Sequence, residues 1–217
     1  MVSVVGLSVP NMWLFGNTCS VCDRPANGIC KPCVNALEPA VVPPLLGFAD
    51  AMVLCSYEGV GADLVRSIKF RNRRQALSAL TKALSTSLAK NLDAIVAVPA
   101  QSARLRERGF HVPDLMASRL SKQLSIPVIK PLVRVDEGSQ QGRDRAERQA
   151  VEFRATSTVP ERILLVDDVV TTGATAVACS VTLGLAGARH VELAALAATP
   201  PVQNYERTAK GLSTPRQ

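Results

Sequence analysis

The stretch ILLVDDVVTTGAT, residues 163–175, runs four apolar residues into two adjacent aspartates and then into a loop almost free of bulk. Ile163 to Val166 is predicted to be a buried strand of a parallel sheet, because only a strand covered on both faces tolerates so continuous an apolar run. Open parallel sheets bind ligands beyond the carboxyl ends of their strands. Asp167 and Asp168 are therefore expected where the chain emerges from the sheet. Thr171-Thr172-Gly173-Ala174-Thr175 then turns into a helix, whose free N–H groups and positive dipole suit a phosphate monoester. Threonine hydroxyls add donors, and Gly173 lets the backbone approach closely. Two carboxylates beside such a cup would repel phosphate unless they hold a diol or a cation. Sugar hydroxyls next to a sugar phosphate satisfy the whole arrangement. An exposed Asp-Asp turn with threonine as a helix cap is the plainer reading, and it leaves the loop's composition unexplained.

Outward from this stretch the pattern alternates. Upstream, residues 49–57 (ADAMVLCSY) read as a strand, and 61–70 and 75–92 as helices by their apolar spacing. Residues 93–99 (DAIVAVP) read as a short buried strand, and 113–124 as a helix opened by Pro113 with Asp114 in its first turn. Downstream, 173–188 form a helix closed near Gly187, and 190–199 a last strand. Strands alternating with helices predict an α/β fold with a parallel sheet covered on both faces. Residues 39–48, which overlap the proline-rich EPAVVPPLLG of residues 38–47, read as a linker. Residues 200–217 read as a polar tail that frays. The domain organisation expected is thus 1–38, 39–48, 49–199 and 200–217.

The chain has 217 residues, 47% hydrophobic and 20% charged, which suits one sizeable core with a small appendage. A formal net charge of +7 suits a polyanionic ligand, whether nucleic acid, phosphate ester or pyrophosphate, with a merely solvated arginine surface as the plainer reading. No apolar run approaches the ~20 residues that span a bilayer. The opening 17 residues carry no basic stretch of the kind that begins a secretory signal. A cytoplasmic location without a membrane span is the expectation.

Four of the six cysteines, Cys19, Cys22, Cys30 and Cys33, form two C-x2-C pairs seven residues apart. Each pair can aim two thiolates at one tetrahedral ion, and the two together close its shell. Structural zinc fits this pattern, with an iron–sulfur cluster or redox disulfides as the alternatives. So short a segment has no core, so the metal would supply its folding free energy, and loss of one ligand is expected to unfold the knuckle alone. Cys55 and Cys179 lie in apolar segments and read as small core residues.

VDDVVTTGAT resembles the phosphoribosyl pyrophosphate (PRPP) motif of type I phosphoribosyltransferases. Joined to an N-terminal four-cysteine knuckle, it is similar to the ComF family, the competence-associated phosphoribosyltransferase-like proteins that include the GntX type. SIKFRNRR (67–74), RLRERGF (104–110) and QQGRDRAER (140–148) resemble further segments of that family, the last where type I enzymes carry a mobile loop. The resemblance implies a type I phosphoribosyltransferase fold and a PRPP site made of Asp167, Asp168, Val169, Val170, Thr171, Thr172, Gly173, Ala174 and Thr175. Asp167 and Asp168 would hold the ribose hydroxyls and flank the cationic ring in catalysis. Lys69, Arg104, Arg106, Arg108, Arg143 and Arg145 would neutralise pyrophosphate together with Mg2+.

What the resemblance implies for partners is PRPP or another phosphosugar, single-stranded DNA and DNA-uptake proteins. Transfer of phosphoribosyl to an acceptor and a non-catalytic accessory role are both open, and no segment reads as a nucleobase reader. The chain departs from the family pattern at Gln101-Ser102-Ala103, where a His-Pro-Arg-like stretch is usual, and at His111-Val112, where Asn-Gln is usual. It also lacks an asparagine expected shortly after Arg148.

Overall fold

The computed structural model describes residues 18–42, 45–89, 91–135 and 152–201, with backbone alone at 102–104. The predicted mobile loop with Arg143 and Arg145, the opening segment and most of the polar tail lie outside the described residues.

Five parallel strands form the central sheet: β1 (Asp50–Ser56), β2 (Ala94–Ala97), β3 (Val128–Ile129), β6 (Arg162–Val170) and β7 (His190–Ala198). Their order is β1-β7-β6-β2-β3. The predicted α/β fold with a parallel sheet is what the chain adopts. Ile163, Leu164, Leu165 and Val166 are all fully buried. Leu164 and Val166 face the cluster built with α2 (Gly59–Phe70), α3 (Ala76–Ser85) and α5 (Val112–Leu124). Ile163 and Leu165 face the other cluster, built with α6 (Ala174–Leu185). Both faces are covered, as the unbroken apolar run requires.

From β2 the chain crosses through α4 (Ser102–Arg108) and α5 to β3 on one side, and from β6 it crosses through α6 to β7 on the other. Adjacent β2 and β6 thus send their connections in opposite directions, which opens a crevice at their carboxyl ends.

Four features differ from the sequence reading. First, β6 continues two residues past Asp168, because β7 is equally long and pairs Asp167 with Ala195, Val169 with Ala197 and Val170 with Ala198. The aspartates therefore project from a strand still in its ladder. Second, the helix expected to reach 92 stops at Ser85. Ser85 and Thr86 donate hydroxyl bonds back to the carbonyls of Lys82 (2.8 Å) and Ala83 (2.7 Å), offering the backbone another way out of the helix. Third, a short antiparallel hairpin, β4 (Leu132–Arg134) with β5 (Phe153–Ala155), stands beside the parallel sheet. Its three-residue strands are too short to show a period.

The fourth difference concerns the cysteine segment. Ile29, Val34 and Leu37 belong to the same hydrophobic cluster as Leu64 and Ile68 of α2 and Leu77 and Leu80 of α3. Gly28, at φ 90°, lies so close to α3 that a Cβ there would sit 3.0 Å from the Cα of Ala76. The Arg73 guanidinium pairs with Asp23 and donates to the Cys19 carbonyl at 3.0 Å. The cysteine segment thus shares its hydrophobic core with the sheet and its helices, which argues against its unfolding alone. Residues expected to be a linker pack likewise: Ala40, Val42, Leu45 and Phe48 lie against the α6-side cluster. Ser180 donates its hydroxyl to the Gly47 carbonyl at 2.5 Å. Among the described residues no helix is long and apolar enough to cross a membrane.

Candidate functional site

A cavity of about 290 Å3 opens at the carboxyl ends of β1, β2 and β6. The end of β6 contributes Asp167, Asp168 and Val169, and the loop and helix that follow contribute Thr171 and Thr175. Tyr57 follows β1, and Val98 to Gln101 follow β2. Lys69 from α2, Arg108 from α4, His111 ahead of α5 and Arg134 from β4 complete the charged lining. Of the residues singled out in the sequence, Asp167, Asp168, Val169, Thr171, Thr175, Lys69 and Arg108 line this cavity, while Thr172, Gly173 and Ala174 do not.

Other predicted contacts fall elsewhere. Val170 is buried in the α6-side core. Arg106 is exposed and stands outside the cavity lining. Arg104 has only its backbone described. Arg134 and His111 were missed as pocket residues.

Gly173 is the hinge of the threonine loop. Its φ is 78°, a region L side chains rarely adopt, and a Cβ would meet Leu45 Cδ2 at 2.6 Å. α6 begins at Ala174 with no side-chain cap and no acidic residue in its first turn. Thr172 Oγ1 accepts the Ala174 N–H at 3.3 Å, while Thr171 and Thr172 themselves are exposed. The helix thus presents a positive end at the cavity with hydroxyls around it, an arrangement suited to a phosphate group.

The acidic pair is electrically quieter than its sequence suggests. Lys69 Nζ donates to Asp168 Oδ1 at 2.7 Å, and both side chains are about six-sevenths buried, at 14% and 15% exposure. Asp167 Oδ1 accepts the Asp168 backbone N–H at 2.7 Å. Burial, and then the Asp168 charge, push the Asp167 carboxyl up to about 7. One carboxylate is thus neutralised by a lysine and the other holds its proton through much of the acidic range. Together with Lys69, the two aspartates thus carry little net charge through the acidic range.

The raised Asp167 carboxyl has a consequence for stability. Between the usual carboxylate range and about pH 7 the folded chain holds a proton that the unfolded chain has released. Stability from this group is therefore fully present at low pH and falls as pH rises to 7. Asp167→Asn keeps the acceptor for the Asp168 N–H and removes the charge. It is expected to stabilise the ligand-free protein at pH 8 relative to pH 5 by on the order of 1–2 kcal/mol, after allowance for the partly solvated side chain. Urea unfolding of both proteins at the two pH values measures it, and an equal stability difference at both would contradict it.

The second candidate site is the cysteine cluster. The sulfurs of Cys19, Cys22, Cys30 and Cys33 all lie within 4.8 Å of one another. A tetrahedral thiolate site with metal–sulfur bonds near 2.3 Å places sulfurs about 3.8 Å apart, so this donor set fits a single ion. At Cys19 the backbone is arranged for a thiolate, whereas burial pushes the Cys30 and Cys33 thiols up: Cys19 Sγ accepts N–H bonds from Val21 at 3.4 Å and Cys30 at 3.3 Å. Burial works against the Cys19 thiolate, but the N–H groups of Cys22, Cys30 and Val21 overcome it and bring the thiol down to about 6. α1 (Lys31–Asn35), which begins after Cys30 and contains Pro32, fixes Cys33 on its first turn.

No family model matches the chain. It is 26% identical over 172 residues to the competence protein ComFC of Bacillus subtilis, covering 75% of this chain and 69% of that protein. It is 29% identical over 195 residues to the DNA utilization protein YhgH of Escherichia coli K12, covering 83% and 84%. With the competence protein F of Haemophilus influenzae it shares 28% identity over 151 residues, 62% of this chain and 66% of that one. Among solved structures it is similar to the glutamine PRPP amidotransferase of B. subtilis (TM-score 0.42, 22% identity, 57% of this chain and 26% of that chain). It is also similar to the adenine phosphoribosyltransferase of Leishmania tarentolae (TM-score 0.41, 16% identity, 62% and 74%). The chain is thus similar in sequence to competence and DNA-utilization proteins.

Proposed function

We propose that this protein is an accessory factor of DNA uptake or utilisation that handles single-stranded DNA, and that its cavity takes PRPP with magnesium. The relatives named for competence and DNA utilization support the first half. The observation that carries it is a basic and aromatic surface at the cavity's rim. Phe70 is 65% exposed, and the Arg108 guanidinium stacks over its ring at 4.8 Å. Arg71 and Arg74 are exposed in the turn that follows α2, and Arg106 is exposed on α4. Single strands are held by such surfaces, with guanidinium groups tracking phosphates and aromatic rings stacking on bases. The four cysteines hold one structural zinc ion in this reading.

Fluorescence anisotropy with a labelled oligothymidine tests the assignment. Binding is expected to be micromolar or weaker at physiological salt and to tighten steeply as salt falls. Phe70→Ala is expected to weaken it by about 1–3 kcal/mol, the usual worth of one stacked base. Absence of binding at low salt, or binding indifferent to both salt and Phe70, would contradict the assignment.

A second reading is a phosphoribosyltransferase with an unassigned acceptor. The feature that favours it is the acidic pair set beside the threonine loop in a cavity that Lys69, Arg108 and Arg134 also line. In such a transfer the bond from the anomeric carbon to pyrophosphate breaks ahead of the new bond, so positive charge grows on the ribose. Asp167 and Asp168 would stabilise that ring, while Lys69, Arg108 and Arg134 would face the departing pyrophosphate. Pyrophosphate release from PRPP in the presence of a panel of nucleobases separates turnover from binding alone.

A further inference from the structure

We propose that His111 contacts the polyanion bound in the cavity and makes its affinity pH-dependent, with Asp114 holding the imidazole in place. The inference rests on the reading that the cavity takes a polyanion. His111 occupies the N-cap position of α5, yet its side chain makes no capping bond. Instead Nδ1 lies 3.3 Å from Asp114 Oδ2, and the ring lines the same cavity as Asp167 and Asp168. Only 16% of the His111 side chain is exposed, so its remaining access is mainly to that cavity.

Asp114 is suited to orient the ring. The hydrogen bond from His111, outweighing partial burial, holds its carboxyl below the usual range, and Lys130 at 3.6 Å acts in the same direction. A carboxylate at Nδ1 fixes the proton there and leaves Nε2 to the ligand. Among the described residues Nε2 has no hydrogen-bond partner. When the imidazole is protonated, Nε2 becomes a charged donor, and it joins Lys69, Arg108 and Arg134 around the cavity.

The charges around His111 are mixed. Asp114, Asp167 and Asp168 favour the imidazolium, while Lys69, Arg108, Arg134 and the positive end of α5 oppose it. A polyanion entering the cavity adds to the favouring side. By linkage, the ligand raises the pH at which His111 titrates, and a lower pH strengthens binding. Asp167 also gains a proton as pH falls, with the same sign, so the two contributions have to be separated by substitution.

The chain contains two histidines, so the ring of His111 is assigned in an NMR titration by comparison with His111→Asn. Saturating PRPP with magnesium is expected to move the His111 titration upward by about one pH unit, which corresponds to a tenfold linkage. Calorimetry from pH 8.5 to 6 should then show the parent gaining about tenfold more affinity than His111→Asn. Asn is a good N-cap, so the fold is expected to hold, and His111→Gln with a melting curve checks it. Asp114→Asn should shift the pH profile to lower values, and Asp167→Asn should keep the part that depends on His111. An unmoved His111 titration under saturating PRPP overturns the inference and leaves the polyanion reading intact, as does a parent-like profile in His111→Asn. No PRPP binding by the parent at any pH removes both.

Discussion

Removing the metal from the cysteine cluster is expected to unfold the α/β sheet along with the knuckle. The sulfurs are gathered within 4.8 Å, and without an ion four polar thiols, three of them on buried residues, would crowd one point. Ile29, Val34 and Leu37 are held in the shared core only while the knuckle keeps its shape. Structural metal sites of this kind contribute about 10 kcal/mol or more at neutral pH. A domain's whole stability is roughly 5–15 kcal/mol. Part of the metal's contribution offsets the ordering of the knuckle itself, so Cys30→Ser is expected to cost on the order of 5 kcal/mol. Elemental analysis should find about one zinc per chain in the parent. Thermal unfolding followed by far-ultraviolet circular dichroism should then show one cooperative transition, displaced far downward in the variant. A parent-like transition in Cys30→Ser, with the remaining thiols freely alkylated, would contradict the shared core.

The second large effect is at Asp168. Lys69 and Asp168 neutralise each other at 2.7 Å in a largely buried setting, so removing one leaves the other uncompensated. Asp168→Asn is expected to lower PRPP affinity by about tenfold to a hundredfold, since a hydrogen bond from a ribose hydroxyl to a charged acceptor contributes roughly 1.5–3 kcal/mol. It should also destabilise the ligand-free fold, because Lys69 stays charged in the cavity wall. A compensating Lys69→Met with Asp168→Asn should restore stability without restoring affinity. Calorimetry and urea unfolding on the three proteins separate the two effects. Unchanged PRPP affinity in Asp168→Asn would remove the acidic pair from the site.

How much of this was legible in the sequence depends on how local each signal is. The strand of residues 163–166 and the glycine hinge at 173 were legible because burial on both faces and a left-handed turn leave local marks in composition. The four cysteines were legible by spacing alone. The extension of β6 past the aspartates was not, because it is decided by the length of β7, more than twenty residues away. Nor was the burial of the knuckle against α3, which rests on Gly28 meeting Ala76 and on Arg73 reaching Cys19. Arg134 and His111 reach the cavity only through the hairpin and the start of α5, so no local pattern marks them. Lys69 was assigned to pyrophosphate, but its proximity to Asp168 is a long-range contact that gives it a second role.

The most direct test of the account is a competition measurement on one sample. A labelled oligothymidine is bound to the metal-loaded protein at low salt, and PRPP with magnesium is added while anisotropy is followed. Phe70 and Arg108 border the cavity that holds Asp167 and Asp168, so strand and PRPP are expected to meet at adjoining surfaces and draw on the same guanidinium group. The expected result is salt-dependent strand binding whose affinity shifts saturably with PRPP, and a shift that disappears in Asp168→Asn. Strand binding wholly indifferent to saturating PRPP, or no strand binding at all, would contradict it.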